Sequence, residues 1–171
     1  TDYSQILKDE VTLSKEKFKK LDVVPIIQSV VEDYNNIYQV KKNIKISCIN
    51  DGNKSYPING IENRIEQIIA NLLDNAISFS EENQRIEVKI SRDSKKQVII
   101  NVIDEGRGFK EKDTSKIFKR FYSNRPDKFG QHSGLGLNIV KNLAELHRAS
   151  ITASNRNDKQ GANIEIVFPK S

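Results

Sequence analysis

The sequence predicts an α+β domain: a two-layer sandwich in which a mixed, mostly antiparallel sheet carries one layer of helices. Three observations lead there. "RIEVKISR" and "KQVIINVID" alternate apolar and polar residues with the period of half-buried strands. "NGIENRIEQIIANLLDNAISFS" and "GLNIVKNLAELH" repeat their apolar residues at helical spacing. The strands come mostly in hairpin-connected pairs rather than in strict alternation with helices, which favours an α+β layout over a doubly wound one.

Taken in order, residues 3–20 are lysine-rich with thin apolar spacing (Ile6, Leu7, Val11, Leu13, Phe18), the pattern of a marginal helix. "KEKFKK" at 15–20 reads as its solvated end or as a linker. In "LDVVPIIQSVVEDYNNI" Asp22 suits an N-cap and Pro25 the first turn, and Ile26, Ile27, Val30, Val31 and Tyr34 form a helical stripe. "NIKISCIN" predicts a strand and "DGNKS" a turn. The long helix follows, then the two alternating strands joined through "DSKK". "TSKIFKRFYS" predicts a short helix and "NRPDKFGQHS" a loop. "GLNIVKNLAELH" places Ile139, Val140, Leu143 and Ala144 at core spacing, and "SITASNR" and "ANIEIVFP" form a last hairpin around "NDKQG". The domain boundary falls at 21/22, with 1–21 a linker or the tail of an upstream helix and 22–171 the domain.

At 171 residues, 36% hydrophobic and 30% charged, the chain is the size of one soluble domain with a real core. No apolar run approaches the roughly 20 residues that span a bilayer, and "TDYSQILKDE" has no basic and apolar regions of a signal peptide. The absence of methionine suggests a piece of something longer. One cysteine, Cys48, excludes an internal disulfide and a multi-cysteine metal site; it reads as a small hydrophobe within a strand, in a reducing compartment. A net charge of +5 and pI near 9.2 suit an anionic partner. Basic residues are scattered among 23 acids with no nucleic-acid-binding signature, so no nucleic-acid partner is expected, and a nucleotide's phosphates would suit the charge equally well.

Chemistry concentrates in a few stretches. On the long helix the apolar face is Ile65, Ile68, Ile69, Leu72, Leu73, Ala76 and Phe79, and the opposite stripe is Gln67, Asn71, Asp74, Asn75 and Ser78. A merely solvated stripe would favour Lys and Glu. Here the members are short, with one charge, which suits close approach to a ligand or hydrated metal. "DEGRGF", 104–109, follows a strand, and its Gly-x-Gly lets a backbone approach a ligand closely. "SGLGLNIV", 133–140, opens a helix, where free N–H groups favour phosphate; the plainer reading is an ordinary cap by Ser133. Neither Gly-x-Gly continues into G-x-G-x-x-G, since Glu111 and Ile139 occupy the third glycine positions, and no G-x-x-x-x-G-K-[ST] occurs.

These stretches, in this order, resemble the ATP-binding catalytic domain of sensor histidine kinases, in the superfamily that holds gyrase, Hsp90 and MutL and shares the Bergerat-type ATP-binding fold. "NLLDNAISFS" looks like the N box, "DEGRG" the G1 box, "IFKRFY" the F box and "SGLGL" the G2 box, and "GANIEIVF" resembles the closing strand after a third glycine site. The likeness covers roughly residues 22–169. "SFS" and "RFYSNRPDKFGQHSGLGL" look most like an alphaproteobacterial envelope-sensing subgroup.

The resemblance implies ATP and Mg²⁺ as cofactors and assigns roles. Asn75 would ligate the Mg²⁺ that bridges the phosphates. Asn71 stands where ATPase relatives carry a water-activating glutamate, which an amide cannot replace; this suits phosphoryl transfer over hydrolysis. Asp104 would accept from the adenine amino group, with Gly106 and Gly108 giving the base room and Phe79 and Phe109 packed nearby. Residues 119–133 would form a lid, bounded by Ser133, Gly134, Leu135, Gly136 and Leu137. Ser78 replaces a frequent Lys or Arg and Ser123 a frequent Arg, so Arg120, Arg125 or Lys128, beside Phe121, would meet the phosphates. "HRAS" lacks the usual glycine pair, so Arg148 must make that turn. His147 would be structural and His132 a lid residue, leaving the acceptor histidine on a separate dimerisation domain. Implied partners are that domain, in a homodimeric parent, and a response regulator. The domain would be cytoplasmic and its parent an inner-membrane sensor. A hydrolysing ATPase and a degenerate interaction module are the alternatives.

Overall fold

The computed structural model describes residues 17–50, 54–110, 114–119 and 135–171. Strand β1 (Lys19–Asp22) leads into helix α1 (Val23–Lys42) and strand β2 (Lys45–Asn50). Strand β3 (Pro57–Gly60), helix α2 (Glu62–Phe79) and strands β4 (Arg85–Arg92) and β5 (Val98–Asp104) follow. A single 3₁₀ turn (Thr114–Phe118), helix α3 (Leu135–Leu146) and strands β6 (Ser150–Asn155) and β7 (Ala162–Phe168) complete the order.

Five strands form one sheet in the order β2-β4-β5-β7-β6, parallel only between β2 and β4 and antiparallel elsewhere. The sheet is mixed and mostly antiparallel, as the sequence predicts. Its parallel pair follows from chemistry, because two parallel neighbours need a long crossover, here supplied by β3 and α2. Alternate residues Ile86, Val88, Ile90, Val98, Ile100, Val102, Ile164, Ile166 and Phe168 point to the helical layer and are buried. Opposite them α2 supplies Ile65, Ile68, Ile69, Leu72 and Leu73, all with 0% exposure. Burying each such aliphatic chain is worth about 1.5–3 kcal/mol, so this face fixes the helix on the sheet. Cys48 is half-buried and packs against that core, as a small hydrophobe would.

Asp22 caps α1, accepting from the Val24 N–H at 3.1 Å, and its carboxylate also accepts from Tyr56 N–H at 2.9 Å. The helix ends at Asn43, a left-handed residue (φ 51) whose N–H returns to the Gln39 carbonyl. The hairpin between β4 and β5 closes as predicted, with Asp93 Oδ1 accepting from Lys95 and Gln97 N–H groups and Lys96 at φ 64. Arg148 turns the chain after α3 in the left-handed region (φ 57), bearing the cost a glycine would avoid.

Two expectations fail. Lys19 and Lys20 lie in a strand rather than a helix end: β1 pairs antiparallel with β3, Lys19 opposite Gly60 and Asp22 opposite Pro57. The folded unit therefore includes residues ahead of position 22. The marginal helix expected over residues 3–20 otherwise falls outside the described residues up to 16, as do the first three residues, 51–53, of the turn "DGNKS". The long helix also starts later than its sequence suggests. Asn59 and Gly60 belong to β3, and the helix opens at Glu62 behind Ile61, which provides no side-chain cap.

Candidate functional site

The site begins at the C-terminal end of α2. Its polar stripe does not behave as one surface. Asn75 and Ser78 are buried at 2% exposure, whereas Asn71, Asp74 and Gln67 are half-buried. Asp74 is engaged across the helix pair by the Tyr34 hydroxyl of α1 at 3.0 Å, and Gln67 accepts from Arg64 at 3.2 Å. Ser78, expected among the nucleotide-binding residues, donates its hydroxyl to the Asn75 carbonyl at 2.7 Å, a bond within its own helix. Asn71 has no side-chain hydrogen bond among the described residues, which leaves its amide open to a ligand. Asn75 offers a carbonyl oxygen, the donor type a hard cation takes. No group of three or more His, Cys, Asp or Glu exists among the described residues. An amide oxygen is a donor that fits a hard cation otherwise held by water and substrate oxygens.

Strand β5 delivers Asp104 to the other wall. Its carboxyl is 3% exposed, and Oδ1 accepts from Gly106 N–H at 2.9 Å and Ala162 N–H at 3.2 Å. Burial pushes its pKa up to about 6. The two N–H donors and the Arg156 guanidinium pull the other way, and Glu105 adds to the rise. The second oxygen, Oδ2, accepts no hydrogen bond from the described residues and is the atom left for a donor on a ligand.

The glycines of "DEGRG" serve the chain itself. A Cβ on Gly106 would stand 2.4 Å from the Phe79 carbonyl oxygen, and one on Gly108 (φ 78) would stand 2.6 Å from Asn155 Oδ1. Gly106 thus joins the G1 turn to the end of α2, where the Phe79 and Phe109 rings meet edge to face at 6.0 Å. The Arg107 guanidinium lies 5.3 Å over the Phe79 ring.

In α3 the first turn holds Gly136 and the buried Leu137; of Leu135 only the backbone is described. Asn138 donates to the Phe118 carbonyl at 3.2 Å, tying the 3₁₀ turn of "IFKRFY" to the helix that "SGLGL" opens. No described atom lies within 4 Å of a Cβ at Gly136. Arg120, Phe121, Arg125, Lys128, His132, Ser133 and Gly134 fall outside the described residues, and with them the lid. Among the described residues, a cleft of about 310 Å³ is lined by Lys45, Arg85, Glu105 and Lys159, and another of about 370 Å³ lies between α1 and α2. Neither includes an expected nucleotide residue.

His147 is structural, as predicted. Its Nδ1 lies 2.8 Å from the Leu143 carbonyl and its Nε2 accepts from Ile61 N–H at 3.2 Å, between the Phe18 and Phe168 rings. Sequence reading missed Asn155, which accepts from Phe109 N–H at 2.7 Å and donates to Phe109 O at 3.0 Å, and also Arg156 and Lys159. Their one sequence signal was a polar hairpin next to a glycine.

Residues 60–171 match the family described as histidine kinase-, DNA gyrase B- and HSP90-like ATPase. The chain belongs to this family. Two sensor proteins named ChvG are similar to it, from Agrobacterium fabrum (38% identical over 94% of this chain) and Rhizobium meliloti (37% over 94%). The chain spans only 28% and 29% of their lengths. The catalytic domain of histidine kinase ThkA superposes with a TM-score of 0.77 at 26% identity, covering 90% of this chain and 96% of that one. Full-length ShkA in complex with AMPPNP shares the fold, with a TM-score of 0.76 at 23% identity over 91% of this chain and 31% of that one. The chain corresponds to the ATP-binding catalytic domain of sensor histidine kinases. No described helix is long and apolar enough to cross a membrane.

Proposed function

We propose that this domain binds Mg²⁺-ATP between α2, the Asp104–Phe109 turn and the start of α3, and presents the γ-phosphate to a histidine on a separate dimerisation domain. The observation that carries the reading is Asp104: a buried carboxylate whose Oδ1 is fixed by two N–H groups and whose Oδ2 is left over. That arrangement fits a donor on a planar base, such as the adenine amino group. Asn75 would supply one oxygen to Mg²⁺, and Asn71 would contact phosphate without activating water. An amide has no basic lone pair to take a proton at neutral pH, so transfer to a protein is favoured over hydrolysis. Arg120 or Arg125 would neutralise phosphate charge, with Ser133 and Gly134 as further phosphate-binding residues ahead of the first turn of α3, which opens at Leu135.

The acceptor lies elsewhere. Phosphoryl transfer needs an imidazole in line with the γ-phosphate, and of the two histidines His147 is buried and bonded through both ring nitrogens. The parent would be a homodimeric inner-membrane sensor with its catalytic domain in the cytoplasm and a response regulator as partner; ThkA has been solved in complex with a response regulator, TrrA. The test uses radiolabelled ATP with this chain alone and then with an upstream helical hairpin carrying a histidine. The chain alone should bind ATP and acquire no acid-labile label, and the longer protein should. Label on this chain alone would refute the assignment of the acceptor.

A further inference from the structure

We propose that the β6–β7 connection, Asn155 to Gly161, is a clamp on the Asp104–Phe109 turn, with Arg156 the positioning residue that holds Asp104 for the base. This rests on the reading of Asp104 as the base-recognising carboxylate.

The contacts run along the whole turn. Arg156 Nη1 donates to the Asp104 main-chain carbonyl at 3.1 Å. Lys159 Nζ meets Glu105 Oε2 at 2.7 Å, while Glu105 Oε1 accepts from Arg85 N–H at 2.7 Å. Asn155 brackets Phe109 through both its polar atoms. Gly161, at φ 144, runs so close beneath that a Cβ would stand 2.1 Å from the Asp104 carbonyl oxygen. The next N–H, of Ala162, reaches Asp104 Oδ1.

Arg156 is itself held. Its Nε and Nη2 grip both oxygens of Asp158 at 3.0 and 2.8 Å, and its own N–H returns to the Gly161 carbonyl at 2.9 Å. A planar fork can make the paired contact with Asp158 and still aim a third N–H at a carbonyl; an ammonium cannot hold that geometry.

Stability alone is a poor account of this arrangement. Asp158 is 67% exposed and Lys159 53%, and exposed ion pairs contribute little. The consequence falls on Asp104. The charged and donor groups facing it are the Gly106 and Ala162 N–H groups and the Arg156 guanidinium, which favour the carboxylate, and Glu105, which opposes it. Arg156 is the one full positive charge in that set and the one that also fixes the backbone of the recognising residue.

The experiment is calorimetry of ATP with Mg²⁺ from pH 5 to 8.5 on the protein, Arg156→Ala, Arg156→Lys and Asp104→Asn. Phosphate titration is common to all four, so differences between curves report the protein. Affinity should fall as pH drops through the Asp104 range. In Arg156→Ala that midpoint should rise by about half a unit, with affinity lower by about 1.5-fold at pH 6.5 and by about threefold at the acid end of the titration. Arg156→Lys keeps the charge and should restore the midpoint. Should the alanine variant not fold, Arg156→Gln carries the same expectation. An unmoved midpoint in the neutral variants, with Asp104→Asn having lost affinity, overturns the clamp and leaves the base site standing. Wild-type affinity in Asp104→Asn overturns the base site itself.

Discussion

Asp104→Asn should stabilise the fold at neutral pH while weakening ATP binding. In the folded protein the Asp104 carboxyl is raised from 3.8 to about 6, with burial the largest cause. A raised carboxylate favours the folded state only while protonated in it. Its contribution is full below the unfolded value and is lost as pH climbs through the folded one. Roughly two units at 1.36 kcal/mol each set an upper bound of about 3 kcal/mol that the ionised group withholds at pH 7. Asparagine is nearly the same shape, and its Oδ1 can keep both the Gly106 and Ala162 N–H bonds. Its amide nitrogen would sit where Oδ2 is, so the variant gives up the charge and keeps both backbone N–H bonds. Its own NH₂ finds no acceptor among the described residues and offsets part of the gain. The ligand sees the opposite: a donor now faces a donor, and losing a charge-assisted bond costs about 1.5–3 kcal/mol, tenfold to over a hundredfold in affinity. The assay is urea unfolding of both proteins at pH 7.5 and pH 4.5, with calorimetry of ATP at the higher pH. The variant's stability advantage should reach one to a few kcal/mol at pH 7.5 and shrink at pH 4.5. An advantage independent of pH, or a net destabilisation at pH 7.5, would refute the reasoning from burial.

His147→Ala should cost about 2–3 kcal/mol, because it removes the acceptor for Ile61 N–H and leaves a cavity between Phe18 and Phe168. Burial lowers the pKa of His147 against the opposing Leu143 carbonyl, so its contribution is present above pH 6.5 and lost as pH falls below it. His147→Gln should therefore flatten the pH dependence of stability between 5 and 7, as read by thermal unfolding. Asn155→Ala frees the main chain of Phe109; amide exchange across 105–110 should accelerate and ATP affinity fall at least severalfold. Gly136→Ala should leave stability unchanged or raise it by up to about 0.5 kcal/mol in denaturant unfolding, since Gly136 lies in the first helical turn and no described atom would touch the new Cβ. The same variant should lose ATP affinity if phosphate approaches that backbone.

The layers were legible because burial on one face imposes a period, and α2, β4, β5 and β7 show it over seven or more residues each. The ribbon of β1 and β3 shows no such period. Each strand has four residues, one carries two lysines and the other starts with proline, and each exists because of a partner nearly forty residues away. The stripe on α2 was legible as a face but not as a set of roles. Spacing places Asn71, Asp74, Asn75 and Ser78 together; only the fold shows that Tyr34 takes Asp74 and that Ser78 bonds back to its own helix. Asn155 and Arg156 were invisible for the same reason, since their partners Phe109 and Asp104 lie 46 and 52 residues away.

The glycines show where sequence reading gives one answer to two physical questions. Gly-x-Gly occurs twice, and each occurrence invites the same inference, that a ligand approaches the backbone. At Gly106 and Gly108 the fold answers first, because a side chain would strike Phe79 or Asn155 with the site empty or filled. Alanine at either position should damage folding and binding together, and such a loss would reveal nothing about nucleotide. At Gly136 the described fold asks for no glycine, and helix propensity disfavours one. No described atom stands near where its Cβ would be, so a substitution there leaves the described packing undisturbed. A separation of stability from affinity in a Gly136 variant would therefore report on phosphate binding without the damage to packing that Gly106 and Gly108 variants bring.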